Sequence, residues 1–338
     1  MPQLSVPNVS ALTFVPHPLL RGGHVQTLAG AYLWRRSPDA ATQHRIELSD
    51  GDQLVVHDNR PDAWRTGDRV VLLLHGLAGC HESGYMSRIA SKLCQRGFRV
   101  FRLDQRGCGA GAKLATQTFH AGRSDDVVQT LLQLKDLCGP CPVTVVGFSL
   151  GAAILLKMLV EQEDEPVGGL DSAIAVAPPI DLMRCSQNIG TGWNRIYDLS
   201  FVRSLMRYVR NRDVGDPAFE LFRQGLRPRT LYEFDAMFTA PLGGFVDVMD
   251  YYTRCSTYQK LSQVAIPTRL LTAADDPLVP IETFGKTELP PAIQLIVTED
   301  GGHLGYVGSR DSSADTDWHW MDWRIVDWVI EFDRIEPK

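Results

Sequence analysis

The chain has 338 residues, 44% hydrophobic and 22% charged, which suits one large globular domain or two modest ones, each able to bury a full core. A formal net charge of −6 gives nucleic acid no electrostatic reason to bind. No apolar run approaches the roughly 18 residues of a membrane-spanning helix. The N-terminal stretch MPQLSVPNVSALTFVPHPLL lacks a basic start and is interrupted by prolines, so no secretory signal is expected. Seven cysteines scattered over this length do not make a disulfide framework, and free thiols in a reducing cytoplasm are the simpler expectation.

In chain order, two short strand-like runs come first, at 45–48 and 54–57, hinged on Ser49-Asp-Gly-Asp52. Residues 70–74 are continuously apolar, of strand length and bounded by polar residues and Gly76, as suits a strand buried on both faces. Similar runs follow at 98–103, 143–148, 173–177, 270–271 and 293–297. Helix-like segments lie between or after them at 84–95, 125–137, 150–160 and 318–332. This alternation predicts an α/β fold built on a mostly parallel sheet with flanking helices.

From about 180 to 262 the strand-length runs disappear and Arg, Tyr and Phe become frequent. The expectation is one domain over 1–338, with a core at 40–179 and 263–338 and an inserted helical cap at about 180–262.

Gly147-Phe-Ser149-Leu-Gly151 ends one predicted strand and opens a predicted helix. A serine on such a sharp turn needs small neighbours, and the helix that starts there turns its free N–H groups toward developing negative charge. A serine hydroxyl is a poor nucleophile until a base takes its proton. Two further loops supply the partners: Asp275-Asp276-Pro-Leu-Val-Pro280 after one strand, and Gly301-Gly-His303-Leu-Gly305 after the last. The order Ser, Asp, His is that of a hydrolase triad on an α/β sheet. Ser149 and His303 are the candidate nucleophile and base. Asp276 is the preferred acid, with Asp275 as the alternative. An oxyanion hole is expected from the backbone N–H groups of Leu77, in the loop His75-Gly-Leu-Ala-Gly79, and of Leu150. A serine in this position disfavours the chemistries that use an aspartate nucleophile on the same fold.

Several segments together resemble the YheT-like branch of the α/β-hydrolases, which is related to eukaryotic α/β-hydrolase-domain lipid esterases. They are Arg21-Gly-Gly-His-Val-Gln-Thr-Leu28, His75-Gly-Leu-Ala-Gly79, Asp104-Gln-Arg-Gly-Cys-Gly109, Gly147-Phe-Ser-Leu-Gly-Ala152, Ala274-Asp-Asp-Pro277 and Gly301-Gly-His-Leu-Gly305. The resemblance implies an α/β-hydrolase fold, a triad of Ser149, Asp276 and His303, esterase or lipase-like cleavage of acyl esters, and substrate selection by the cap. Ala78, where relatives often have an acidic residue, and Gly-Ala-Ala after the serine, where they often have Gly-Ala-Asn, depart from that pattern.

The sequence implies no metal or organic cofactor and, as partner, a small-molecule acyl ester. An acyltransferase with the same triad and a non-catalytic ligand-binding protein are the alternatives.

Within the cap, Phe201, Leu205 and Tyr208 recur at helical spacing opposite Arg203, Arg207 and Arg210. Such a helix is either packed with a solvated basic face or a lid making peripheral contact with an acidic lipid surface. Trp193, Tyr197, Tyr251 and Tyr252 either line an apolar pocket or fill the cap core. Cys138-Gly-Pro-Cys141 spells a redox dithiol, but it follows a helix and leads into a strand. That is the reverse of the helix N-terminus that favours a thiolate, so a plain turn is expected.

Overall fold

The strand β4 (Val70–Leu74) is five apolar residues, all buried. Its side chains alternate between two cores: Val70, Leu72 and Leu74 enter one, Val71 and Leu73 the other. Burial on both faces is what a central parallel strand requires. The computed structural model describes residues 9–10, 13–32, 40–162, 167–213, 215–309 and 315–334. Most of the first twelve residues, on which the expectation of no secretory signal partly rests, lie outside these.

The elements run β1 (Val9–Ser10), α1 (Gly23–Tyr32), β2 (Thr42–Glu47), β3 (Gln53–Asn59), β4, α2 (Gly84–Gln95), β5 (Arg99–Asp104), α3 (Ser124–Cys138), β6 (Val143–Phe148), α4 (Leu150–Glu161) and β7 (Leu170–Val176). Helices α5 (Leu182–Ile189), α6 (Arg195–Arg210), α7 (Pro217–Arg223), α8 (Leu231–Phe234), α9 (Ala240–Leu242) and α10 (Val248–Cys255) follow, with a π-helical stretch, Asp235–Thr239, joining α8 to α9. The chain closes with β8 (Thr268–Ala273), β9 (Ile293–Thr298) and α11 (Trp320–Arg334).

The described strands form one sheet in the order β1-β9-β8-β7-β6-β4-β5-β3-β2. Only the pairings of β2 with β3 and of β3 with β5 are antiparallel. β5 and β6 flank β4 on opposite sides, so the direction of winding reverses there. In open α/β sheets the crevice beyond the carboxyl ends of strands at such a reversal is where ligands bind. Helices α2 and α11 pack together over one face, whereas α3 and α4 cover the other.

The central elements lie where the apolar runs put them, and differences concentrate at the margins. β8 extends well beyond 270–271 because Thr268 and Thr272, polar but buried, continue its ladder with β9. β1 and α1 have no counterpart in the expected elements. β1 adds two residues to the edge of β9. α1 (GHVQTLAGAY) carries two glycines and only a weak apolar stripe, so nothing in its pattern signals a helix.

Between β7 and β8 every regular element among the described residues is helical. Side chains close the exposed helix starts: Asp181 accepts from the Arg184 N–H at 3.0 Å, Asp247 from Asp250 N–H at 2.8 Å and Thr230 from Glu233 N–H at 3.1 Å. On α6, Val202, Leu205, Met206 and Val209 are buried while Arg203, Arg207 and Arg210 are exposed. Among the described residues no helix is long and apolar enough to cross a membrane.

Cys138 is the last residue of α3. Gly139 then takes a positive φ of 75°, and its N–H closes the helix onto the Lys135 carbonyl at 2.9 Å. The contact with Cys141 and burial push the Cys138 thiol up, whereas the bond from Cys138 favours the Cys141 thiolate. This pair sits at the amino end of β6 and Ser149 at its carboxyl end, about 20 Å away at ~3.3 Å per residue.

Candidate active site

Ser149 lies between the last residue of β6 and the first of α4, with φ 51° and ψ −117°, a strained conformation for a residue with a side chain. Its N–H is held by the Val176 carbonyl at 2.8 Å, and its own carbonyl accepts from Ala152 and Ala153 at 2.9 and 3.0 Å. The two flanking glycines have steric causes. A Cβ on Gly147 would lie 2.6 Å from the Gly151 carbonyl oxygen, and one on Gly151 would collide with the Leu74 carbonyl. The bend therefore requires small residues at both places.

The Ser149 hydroxyl lies 2.8 Å from His303 Nε2, and His303 Nδ1 lies 2.9 Å from Asp276 Oδ2. Asp276 Oδ1 accepts from the Leu278 and Val279 N–H groups at 2.8 and 3.1 Å. With both oxygens engaged, the carboxylate has one orientation, and it fixes the histidine proton on Nδ1 so that Nε2 accepts from serine. Asp276 and His303 are buried, while Ser149 is partly open.

Asp275, the alternative acid, does not reach His303. Its Oδ1 accepts from the Gly302 N–H at 2.8 Å, and burial pushes its carboxyl up. It thereby tethers the loop that carries the histidine.

The same loop is held from its other side by α1. Thr27 Oγ1 accepts from the His303 N–H at 2.9 Å while donating to the Gly23 carbonyl at 2.6 Å. Gln26, fully buried, donates to the Val307 carbonyl at 3.0 Å and accepts from the Val307 N–H at 2.8 Å. The two segments nearly touch: a Cβ on Gly23 would collide with the Asp275 carbonyl, and one on Gly30 would lie 2.7 Å from Gly305 Cα. The segment Arg21–Leu28 thus has a physical role that its sequence did not disclose: a backbone-close brace for the histidine loop. Its glycines were the available signal.

On the other side of Ser149, a Cβ on Gly76 would lie 3.1 Å from the Ser149 Cβ. Leu77 and Leu150 both line the cavity that Ser149 and His303 open into. His75 Nδ1 donates to the Gly76 carbonyl at 2.8 Å, its Nε2 accepts from the Gln105 N–H at 3.2 Å, and burial lowers its pKa. A neutral histidine thus pins the loop after β4 to the loop after β5. Ala78 adopts a positive φ of 57° in that loop.

Asp104, at the end of β5, adds a further fixture. It accepts from His81 N–H at 2.7 Å, His81 Nδ1 at 2.8 Å, His57 Nε2 at 2.9 Å and Ala110 N–H at 2.8 Å. Burial works against its charge, but the bonds from His57 and His81 overcome this and hold the carboxyl well below its usual range. The stacked rings of His57 and His81 thereby anchor the segment just beyond Gly79.

The cavity has a free volume of about 100 Å³. Its floor is the loops just described, and its walls are side chains of the helices between β7 and β8, among them Leu182, Ile189, Leu205, Phe234 and Phe238. Tyr251 and Tyr252 line it too. Trp193 and Tyr197 do not. Trp193, 80% exposed, and Tyr197, whose hydroxyl meets His24 Nδ1 at 3.0 Å, instead line a separate apolar pocket with His24, Leu28 and Ile196. The cavity-lining residues Asp235, Thr239, Tyr252 and Ser186 form a buried polar cluster. Asp235 accepts from Thr239 Oγ1 at 2.7 Å and Tyr252 Oη at 2.8 Å, and burial lifts its carboxyl to about 6.

Residues 69–308 match the family described as the alpha/beta hydrolase fold. The chain belongs to that family. Among curated relatives, YheT of Escherichia coli is 28% identical, covering 96% of this chain and 94% of its own. Medium-chain fatty acid ethyl ester synthase/esterase 2 of Saccharomyces cerevisiae is 27% identical over 83% of this chain and 66% of its own. Phospholipase ABHD3 of Mus musculus is 25% identical over 83% and 70%. Among solved structures, the esterase Pf2001 of Pyrococcus furiosus superposes with a TM-score of 0.53 at 18% identity, covering 86% of this chain and 92% of its own. That likeness shows the α/β-hydrolase fold, here with esterases and lipases among the relatives of the chain.

Proposed function

We propose that this protein is a serine esterase that cleaves acyl esters through an acyl-enzyme on Ser149. The observation that carries the reading is the unbroken line from Ser149 Oγ through His303 to Asp276, at 2.8 and 2.9 Å. His303 Nε2 takes the hydroxyl proton as Oγ bonds to the ester carbonyl carbon, and Asp276 steadies the imidazolium that results. The backbone N–H groups of Leu77 and Leu150 receive the charge that gathers on the carbonyl oxygen. The tetrahedral species collapses, and the alcohol leaves with the proton from Nε2. Water, deprotonated by the same nitrogen, then attacks the acyl carbon, the Oγ–acyl bond breaks as Nε2 returns the proton to Oγ, and the acid departs.

The apolar wall of the cavity favours an acyl chain over a charged or small polar group. A panel of p-nitrophenyl esters of increasing chain length tests this. Rising kcat/KM with length up to the limit of the cavity supports the reading, and no turnover at any length overturns it.

One relative bears a name with both synthase and esterase in it, which favours a second reading: alcohol in place of water as the final acceptor. Product analysis with added ethanol or glycerol decides between them, since ester formation in competition with acid release marks acyl transfer.

A further inference from the structure

The polar side chains around the cavity are almost all paired. Tyr252 and Thr239 bond to Asp235, Ser186 meets Tyr252 at 3.0 Å, Tyr251 Oη accepts from the Ala121 N–H at 3.2 Å, and Ser149 meets His303. Two cavity-lining groups stand apart. Thr118 Oγ1 and His120 Nε2 are buried and have no hydrogen-bond partner among the described residues. Buried polar atoms left unpaired cost stability, so a protein keeps few of them without a use.

The two belong to one short stretch, Thr118-Phe119-His120, and its backbone is tied down. Arg123 donates from its N–H to the His120 carbonyl at 3.1 Å and from Nε to the Thr118 carbonyl at 3.2 Å. The histidine has a defined proton. The Gly122 N–H donates to His120 Nδ1 at 3.0 Å, so Nδ1 is an acceptor and the hydrogen of the neutral ring is on Nε2. Burial, with Arg123 and Arg106 nearby, depresses the imidazole to about 3, so it stays neutral at any working pH. The ring Nε2–H is therefore a fixed, neutral donor without a partner in a cavity whose other polar groups, the Thr118 hydroxyl apart, are paired with one another or with backbone.

From this we infer that the cavity is built for esters that carry a second oxygen function, an ether, hydroxyl or further carbonyl, accepted by His120 Nε2–H with Thr118 Oγ1 alongside. This rests on the cavity being the site of the esterase reaction proposed above, and it narrows the substrate class from plain alkyl esters to oxygenated ones. In an apolar chamber a lone ether oxygen is disfavoured against a methylene. Where a buried donor waits for it, the preference reverses, because the alkyl analogue leaves that donor unpaired.

The test is an oxygen scan. p-Nitrophenyl esters of straight-chain acids are compared with isosteres in which one methylene, at each position in turn, is exchanged for an ether oxygen. A second series varies the alcohol part in the same way, read by acid release. At one position in one series, the oxygen isostere is expected to exceed its methylene partner in kcat/KM by about tenfold or more.

His120→Asn keeps an acceptor for the Gly122 N–H but removes the Nε2 donor, and Thr118→Val removes the hydroxyl at constant shape. The oxygen-to-methylene ratio is expected to fall to one or below in His120→Asn. Should that protein fail to melt cooperatively, Thr118→Val, with a ratio expected to fall severalfold, carries the test. A methylene preference at every position, or an oxygen preference untouched by both variants, overturns the inference.

Non-hydrolysable methyl ketones with the same chains, titrated calorimetrically into Ser149→Ala, read the same ratio without chemistry. A failure of the serine mechanism would therefore show as absent turnover, and a failure of this inference as an absent oxygen preference in binding.

Discussion

On the sheet side of the cavity, each group around Ser149 is fixed by hydrogen bonds of 2.8–3.2 Å or by backbone contacts that tolerate no Cβ. On the helical side, the wall is mostly apolar and includes a π-helical stretch and a buried carboxyl lifted to about 6, while two unpaired polar atoms, Thr118 Oγ1 and His120 Nε2, face the cavity from the loop between β5 and α3. The first region holds atoms where a reaction needs them, and precision of that kind leaves no freedom for substrate choice. The second has room and irregular backbone, features by which substrates are told apart. On the proposed function, a division of labour follows: reactivity from the loops that carry Ser149, Asp276 and His303, and selectivity from the helices above them together with the Thr118–His120 stretch between β5 and α3.

Substitutions test that division in order of expected effect. On the sheet side, Ser149→Ala is expected to lower kcat/KM toward the best ester of the panel by at least about 10⁴-fold. Asp276→Asn comes next, at about 10³–10⁴-fold, since the histidine would lose the partner that sets its tautomer. Its neighbour gives the sharpest contrast. Asp275→Asn keeps an oxygen for the Gly302 N–H and is expected to stay within about tenfold of wild type, as measured in parallel initial-rate assays. Equal losses at 275 and 276 would show that the hydrogen-bond pattern misassigns the two carboxylates.

Thr27→Val removes the acceptor of the His303 N–H and is expected to lower kcat about tenfold with KM little changed. Thr27→Ser is expected to recover most of it, because the hydroxyl and not the methyl group does the positioning.

The smallest effect belongs to the helical side and is read as stability. The Asp235 carboxyl lies at about 6 in the folded protein against 3.8 unfolded, so the folded state binds the extra proton between those values. Its contribution is fully present below about pH 4 and is lost as pH rises through 6, by about 2–3 kcal/mol at most. Asp235→Asn has no proton to lose. Its Tm relative to wild type is therefore expected to rise from pH 5 to pH 8, and a pH-independent difference would contradict the account.

How much of this was legible in the sequence depended on the kind of signal each part carries. β4, β6 and α2 were readable to the residue because continuous or periodic apolar patterns report burial directly. Ser149 was readable because a strand, a glycine-flanked turn and a helix meet there. The choice between Asp275 and Asp276 was not decidable from residue type: two adjacent carboxylates leave a strand, and only the backbone turn decides which faces His303.

The α1 brace was invisible for a different reason. It works through polar side chains and missing Cβ atoms, which leave no hydrophobic period. For Trp193 and Tyr197 the sequence did not show which pocket was meant: they line a separate apolar one with His24, Leu28 and Ile196, away from Ser149. Thr118 and His120 carried no local signal, since being unpaired is a property of what surrounds a side chain.

The central claim is that Ser149 is the nucleophile, and labelling with a fluorophosphonate probe followed by peptide mass analysis tests it most directly. A single adduct on the peptide that contains Ser149, absent from Ser149→Ala and slowed in Asp276→Asn, is the expected result. Equal labelling of wild type and Ser149→Ala would contradict the claim.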